Sequence, residues 1–416
     1  MPLAVQADFT VTEDPPSGFE KALNDGIEAI GGIGEAVTTS SAAAMSDQTE
    51  YDADQEAAFD LSYMTFQTTS IYGHLATVGT FTSNHYRVEI AKPGGNALDT
   101  IKIISRKSGT EVTLDNSDLV RGFITTGKQL KIKIFDAGTT TVIQSWYDSY
   151  LIAQVVDASS PIQGAGFVGA HFKASNAGMG IDNFLAANLT VVWASDVAVS
   201  NPTQTQGDDS TGDGSFLTPY QSIQFAADDA QMTAAGEVCM VRAGTYDLRL
   251  NENFGNLVYQ NGSSLVAENW DGSTVIQAFP GETITTAKTT NTSIVGFSTA
   301  PTGRGIPAKY IQFINLHWLS LSGREHATHG GSLCTIQRKA EYIRIQGGSG
   351  TDCPATGAFN TDSDDTDGIT NYHQSASKFI ITVVFCQPPI MTMACILKLL
   401  ERLLSIATSI TMPYGA

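Results

Sequence analysis

At 416 residues the chain is long enough for two domains of ordinary size. Hydrophobic residues at 42% and charged residues at 16% describe a globular protein rather than a disordered one. A formal charge of −19 argues against a nucleic-acid partner, whose phosphates call for a basic surface. Excess acid serves solubility, and it also supplies oxygen ligands for calcium. The five cysteines (Cys239, Cys334, Cys353, Cys386 and Cys395) are odd in number and contain no C-x-x-C pair, so buried thiols are expected rather than a zinc site or a disulfide framework. No apolar run reaches membrane-spanning length. The opening "MPLAVQADFTVTEDPP" has neither a basic n-region nor an apolar h-region, so no secretory signal is evident. The expected location is extracellular or virion-associated. Three routes fit: the chain stays inside the cell, leaves by lysis in a virus particle, or begins upstream of this methionine.

Residues 20–58 are rich in alanine, glycine, serine and acid, with only weak pattern. From Ala58 onward the pattern becomes strand after strand. "YRVEIA" (86–91), "TIKIIS" (100–105), "QLKIKIFD" (129–136) and "TTVIQSWYD" (140–148) alternate apolar and polar residues, the period of half-buried strands. "KPGGN", "RKSGT" and "DAGTT" punctuate them as turns. Short strands with such punctuation predict an antiparallel β-sandwich.

Residues 130–189 close with Gly164, Gly166 and Gly169 and with the strand Ile181-Asp182-Asn183-Phe184. That order resembles the last third of a concanavalin A-like jelly roll, and the resemblance covers roughly residues 8–190. It implies a lectin-like binding module or a glycan-cleaving enzyme. The enzymes of that family often carry an E-x-D-x-x-E strand with paired carboxylates for acid–base work, and no such strand occurs here. The resemblance therefore implies carbohydrate binding more than cleavage, beside the plain reading of a spacer or assembly domain. A jelly-roll domain is expected over 1–192, with 1–57 weakly patterned, followed by a polar connector over 193–215.

In "GDDSTGDGSFLTPYQSIQFAADDAQ" (207–231), Thr218 is a suitable N-cap and Pro219 suits a first helical turn. Ile223, Ala226, Ala227 and Ala230 then fall on one helical face. "EVCMVRAG" and "TYDLRL" follow as strands. A short helix before strands suits the open end of a parallel solenoid, whose first coil would otherwise expose its core. Pro219, Tyr220, Ser222, Ile223, Gln224 and Ala226, then Gly236, Glu237, Val238, Met240, Gly244 and Tyr246, resemble the opening of right-handed parallel β-helix (pectate-lyase-like) proteins. "STVIQAF" (273–279), "KYIQFINLHWLSL" (309–321), "EYIRIQGGSG" (341–350) and "KFIITVVF" (378–385) are the expected later rungs. A β-helix is thus expected over 216–385.

That resemblance includes polysaccharide lyases, hydrolases, epimerases and virus tailspikes. A β-elimination lyase needs a charge to neutralise the uronate carboxylate, a base for the C5 proton and an acid for the leaving oxygen. Arg324, His326 and His329 in "SGREHATHGG", with Lys309 on the preceding rung, are the candidate catalytic residues; an exposed polar loop is the plain alternative. Asp362, Asp364, Asp365 and Asp367 in "TDSDDTDG" suit the oxygen shell of Ca2+, the cofactor expected if there is one, although a solvated turn explains them too. Asp208, Asp209 and Asp213 carry the same ambiguity, with the turn reading stronger. His74, His85 and His171 show no partner pattern.

After Gly368 the remaining 48 residues hold one acid, Glu401, and one glycine, Gly415. "ACILKLLERLLSIATSI" (394–410) reads as an amphipathic helix. Over the atypical tail, 386–416, three readings stand: a cap on the solenoid, a helical oligomer contact, or a frameshift that replaced further coils. The expected function is recognition of a polysaccharide or cell-surface glycan, with lyase or glycoside-hydrolase activity as the enzymatic form. The alternative is a non-catalytic virion tailspike, fibre or adhesion protein, with a homotrimer expected if the chain belongs to a virion.

Overall fold

The computed structural model describes residues 4–7, 19–23, 27–30, 33–36, 43–64, 68–76, 80, 82–94, 96–172, 179–200, 202–223, 225–227, 229, 238–247, 274–287, 297–298, 309–315, 317–320, 334–337, 341–351, 369–372 and 377–386. The first group of strands is β1 (Ala4–Ala7), β2 (Phe19–Leu23), β3 (Ile27–Ile30), β4 (Ile33–Ala36), β5 (Ala43–Asp47), β6 (Gln55–Met64), β7 (Thr68–Leu75), β8 (His85–Ala91), β9 (Asp99–Lys107), β10 (Thr110–Leu119), β11 (Gln129–Ala137), β12 (Thr140–Tyr147), β13 (Tyr150–Asp157), β14 (Phe167–Phe172) and β15 (Met179–Asn188). These form two antiparallel sheets. Sheet I has the order β13-β12-β11-β6-β15-β4-β3, with β1 also on β15; sheet II has the order β10-β9-β8-β7-β14-β5-β2.

The alternation read in the sequence becomes the two faces of each sheet. Phe59, Ile132 and Ile143 of sheet I meet Val88, Ile103 and Phe172 of sheet II in one core, each exposed by 1% or less. The short strands β2 to β5 extend both sheets through a stretch whose sequence pattern is weak. Alanines and acidic residues interrupt their apolar pattern, and pairing with neighbours rather than their own alternation places them.

The second group is β16 (Val191–Ala194), β17 (Val199–Ser200), β18 (Thr203–Gln204), β19 (Val238–Val241), β20 (Gly244–Asp247), β21 (Thr274–Ala278), β22 (Ile284–Ala287), β23 (Phe297–Ser298), β24 (Lys309–Ile314), β25 (His317–Ser320), β26 (Cys334–Gln337), β27 (Glu341–Thr351), β28 (Ile369–Tyr372) and β29 (Ser377–Cys386). Apart from the antiparallel pair β17–β18, every ladder among them is parallel. Sheet III runs β16-β19-β21-β24-β27-β25-β22-β20, with β29 also on β27, and β23-β26-β28 make a separate parallel sheet. Buried Val238, Cys239, Met240 and Val241 stack in register on Val275, Ile276, Gln277 and Ala278.

Before β19 the chain makes hydrogen-bonded turns. The Asp208 carboxylate accepts the Ser210 and Thr211 amides at 2.7 and 3.2 Å, and Asp213 accepts the Ser215 amide at 2.9 Å and the Thr218 hydroxyl. These aspartates therefore serve the chain's own amides. Gly207 lies so close to this turn that a Cβ there would come within 2.1 Å of the Tyr220 carbonyl oxygen. Thr218 is not the helix cap. Tyr220 is still extended, bridging in parallel to Ala194, and Ser222 Oγ accepts the Phe225 amide at 3.2 Å ahead of the helical residues 223, 225–227 and 229. Ile223, Ala226 and Ala227 are fully buried, while Phe225 is exposed.

Candidate functional site

Period-two alternation leaves sheet II with a second face, turned away from the sandwich core. Ser70 and Tyr72 of β7, His85, Arg87 and Glu89 of β8, Arg106 of β9, Glu111 of β10 and His171 of β14 lie on it. Register aligns them across strands: His171 opposite Ser70 opposite Glu89, Tyr72 opposite Arg87, and His85 opposite Arg106 opposite Glu111. An outer face with these residues would ordinarily be solvated. Here Ser70, Tyr72 and His85 have no exposure, Arg87 and Glu89 are 2% exposed and His171 is 5% exposed. The array reaches solvent at one rim, where the side chains of Arg106 and Glu111 are 19% and 40% exposed.

The rim is an ionic fork. Arg87 donates from Nη1 and Nη2 to the two carboxylate oxygens of Glu111, both at 2.8 Å, and Arg106 Nη1 donates to Glu111 Oε1 at 2.8 Å. The Arg87 guanidinium also lies 3.7 Å from Glu89. The hydrogen bond from Arg87 is the main reason that the Glu111 carboxyl is held down at about 2. Deeper in, burial and then the Arg87 charge lower His85 to about 3, so its ring is neutral in any ordinary buffer. Nδ1 sits 3.0 Å from the Ser83 carbonyl, which fixes the proton there and leaves Nε2 as an acceptor. The Tyr72 ring lies 5.6 Å from the His85 ring, and burial drives the Tyr72 phenol well above its ordinary range. Ser70 Oγ and His171 Nδ1 are 3.0 Å apart. The array meets solvent at the rim, where Arg106 donors and the Glu111 carboxylate are presented, and the Tyr72 ring and His85 imidazole lie buried behind it. Glu111 is held ionised and cannot serve as a proton donor near neutrality.

A second titratable group lies at one end of the sandwich. His74, at φ 53, places its ring nitrogens 3.1 and 2.7 Å from the carbonyls of Ile162 and Ala53. Asp136 accepts the Gly164 amide at 2.9 Å, and Asp54 accepts the Asp136 amide at 2.8 Å. Burial pushes the Asp54 carboxyl up to about 7 and raises Asp136 as well. The bonds tie loops to strand ends, a structural duty.

Of the residues singled out in the sequence, Lys309 opens β24 and pairs with Glu341. Arg324, His326 and His329, and the aspartates Asp362, Asp364, Asp365 and Asp367, lie outside the described residues, as does the 394–410 segment. Among the described residues no group of three or more His, Cys, Asp or Glu side chains could hold a metal ion, and no helix is long and apolar enough to cross a membrane. Sequence reasoning passed over His85 and His171. The available signal was "HYRVEIA", in which His85, Arg87 and Glu89 occupy alternate positions; their burial and cross-strand neighbours have no local signature.

No protein-family model matches the chain, and no curated protein matches it. Among solved structures, the chain is similar to the carbohydrate binding module CBM66 from Bacillus subtilis at 10% identity over 43% of this chain and 100% of that one, with a TM-score of 0.30. It is similar to the carbohydrate recognition domain of Emp47p at 10% identity over 45% and 97%, with a TM-score of 0.33. Similarity to the β-glucanase of Bacillus licheniformis is 9% in identity over 44% and 97%, with a TM-score of 0.31. Likeness at this level leaves function to be read from the side chains.

Proposed function

We propose that the solvent-open rim of sheet II, at Arg106 and Glu111, is a recognition surface for a polysaccharide or cell-surface glycan. One observation supports the reading: the Arg87–Glu111–Arg106 fork, whose Arg106 and Glu111 side chains are 19% and 40% exposed, stands at the edge of a buried cross-strand array of Tyr72, His85, Glu89 and His171. Sugars present hydroxyls that both donate and accept, on rings with apolar faces. A planar guanidinium beside an ionised carboxylate is chemistry that holds such hydroxyls. Sheets I and II are read as a jelly roll, and the parallel ladders as the sides of a right-handed β-helix whose first coil the helix at Ile223 caps. On that reading a lyase-type activity would use the Arg324–His329 loop with Lys309, and Ca2+ would sit at Asp362–Asp367. A tailspike or fibre role is the non-catalytic alternative.

The test is retention of the purified chain in gels cast with uronate-containing or neutral polysaccharides, with and without chelator, beside an assay for unsaturated ends. Retention by at least one polymer is expected, and Arg106→Ala and Glu111→Gln should lose it while remaining folded. Equal retention of both folded variants, or none by the parent chain on any polymer, would refute the assignment to sheet II. Unsaturated product lost on chelation would establish the lyase reading, and retention without product would leave recognition alone.

A further inference from the structure

Over β11, β12 and β13 the outer face of sheet I is covered. Cross-strand register sets Phe135 beside Val142 and Val156, then Glu56 beside Lys133, Gln144 and Gln154, then Lys131 beside Trp146 and Leu151. The alternation of β11 and β12 that sends Ile132, Ile134 and Ile143 into the sandwich core sends these the other way. They meet sheet III. Phe135, Val142, Trp146 and Leu151 form one buried cluster with Trp193, Val238, Met240, Val275, Phe279 and Ile314. Trp146 and Trp193 are 4% and 2% exposed, and Phe135 and Met240 are fully buried. The indole of Trp193 stands edge-on to Phe216 at 4.9 Å, and the Lys133 ammonium lies 5.1 Å from the Trp146 ring.

Polar groups in this seam are matched across it. Gln144 Nε2 donates to Gln277 Oε1 at 3.1 Å and to Gln154 Oε1 at 3.2 Å, while Gln144 Oε1 accepts from the Trp146 indole at 3.0 Å. The amide of Gln346 on β27 acts as a surrogate peptide for the strand β13. The Leu151 amide donates to Gln346 Oε1 at 3.2 Å, and Gln346 Nε2 donates back to the Leu151 carbonyl. Domains joined by a polar, wet interface move against one another by default. This seam has an apolar centre with paired amides, and separating its halves would expose two indoles and orphan buried amides on both sides.

We infer that the sandwich and sheet III are one cooperative folding unit, with the outer face of sheet I as its internal seam, so that neither part opens without the other. The recognition face on sheet II is then carried at a fixed angle to the parallel strands. The inference does not depend on that face having a ligand.

Hydrogen exchange of the full chain, followed by mass spectrometry of its peptides, tests it. Ile103→Val alters the sandwich core on sheet II, the sheet remote from the seam. A buried isoleucine-to-valine change lowers protection by roughly 2- to 12-fold. In a single unit, the slowest amides of β19 and β21 lose the same factor as those of β8 and β11. Gln277→Ala supplies the reciprocal arm: a change on sheet III must lower protection in β8 and β9 as far as in β19. Loss confined to the body that carries the substitution, in either variant, would overturn the inference. Both substitutions are small enough for the fold to survive, and equal losses in both bodies are the expected result.

Discussion

Glu111→Gln isolates the charge at the rim of the sheet II array. The amide keeps the size of the carboxylate and part of its hydrogen bonding, but it gives Arg87 and Arg106 no anion. In the folded chain the Glu111 carboxyl lies at about 2, against an ordinary 4.5. At 1.36 kcal/mol per pKa unit that difference would be about 3.4 kcal/mol. The side chain is 40% exposed, and solvent screening reduces the figure to roughly 1–1.5 kcal/mol. The sign follows from the depressed pKa. The stabilisation is fully present above about pH 4.5, the unfolded value, and is lost as the pH falls through about 2, the folded value. Urea unfolding of parent and variant at pH 7 should differ by that 1–1.5 kcal/mol in favour of the parent, and the gap should shrink by pH 3 and vanish near pH 2. High salt at pH 7 should narrow it. An equal deficit at pH 2 and pH 7 would show that the carboxylate contributes shape rather than charge, and the ionic account of the rim would fall.

Asp54→Asn should act in the opposite sense. Burial raises that carboxyl to about 7, so its ionisation costs stability as the pH rises from about 4 to 7. The variant should be more stable than the parent at pH 8, by on the order of 4 kcal/mol, with no gain below pH 4. Trp146→Ala opens a hole in the seam between sheets I and III, and urea midpoints should fall by about 3–5 kcal/mol in stability. Gly207→Ala would drive a methyl to within 2.1 Å of the Tyr220 carbonyl oxygen; thermal unfolding should register a loss of about 1–3 kcal/mol, and an unchanged melting temperature would mean that this turn yields freely.

The strands of the sandwich were legible where β-branched and aromatic residues gather between turn signals, with strict alternation in "YRVEIA". "YRVEIA" and "TTVIQSWYD" lie within β8 and β12 to within a residue or so at each end, because one face of each must enter the core. The limits of legibility have physical causes. In "LKIKIFD" the lysines mark an outer face, and a sequence gives no way to know that another sheet covers it; Lys131 and Lys133 are 8% and 7% exposed. The strands between 19 and 47 have too few large apolar residues to declare a face. Thr218 has the residue type of a cap and the position of a turn, since Asp213 and Ser215 claim its hydroxyl first. The recognition array was missed because histidines and charges at alternate positions describe any solvated strand. Only the pairing of β7, β8, β9, β10 and β14 converts them into one cluster.

The two outer faces of the sandwich show how desolvation separates packing from recognition. On sheet I, polar groups that leave water are compensated by a large apolar cluster with Trp193 and Met240, and by amides that find amides. On sheet II, Arg87, Glu89, His85 and Tyr72 leave water on a face where the neighbouring described strands all belong to the sandwich behind it. Burying charge and imidazole costs stability unless partners are supplied, and the Arg87–Glu111–Arg106 fork supplies charged partners at the rim. A test follows: replacing Tyr72 and His85 together by Phe and Leu takes polar atoms out of a buried, hydrogen-bonded array, so thermal unfolding should register a loss of about 1–3 kcal/mol, while a polysaccharide bound at the Arg106–Glu111 rim should still be retained. A double variant as stable as the parent would show that these polar contacts contribute nothing to the fold.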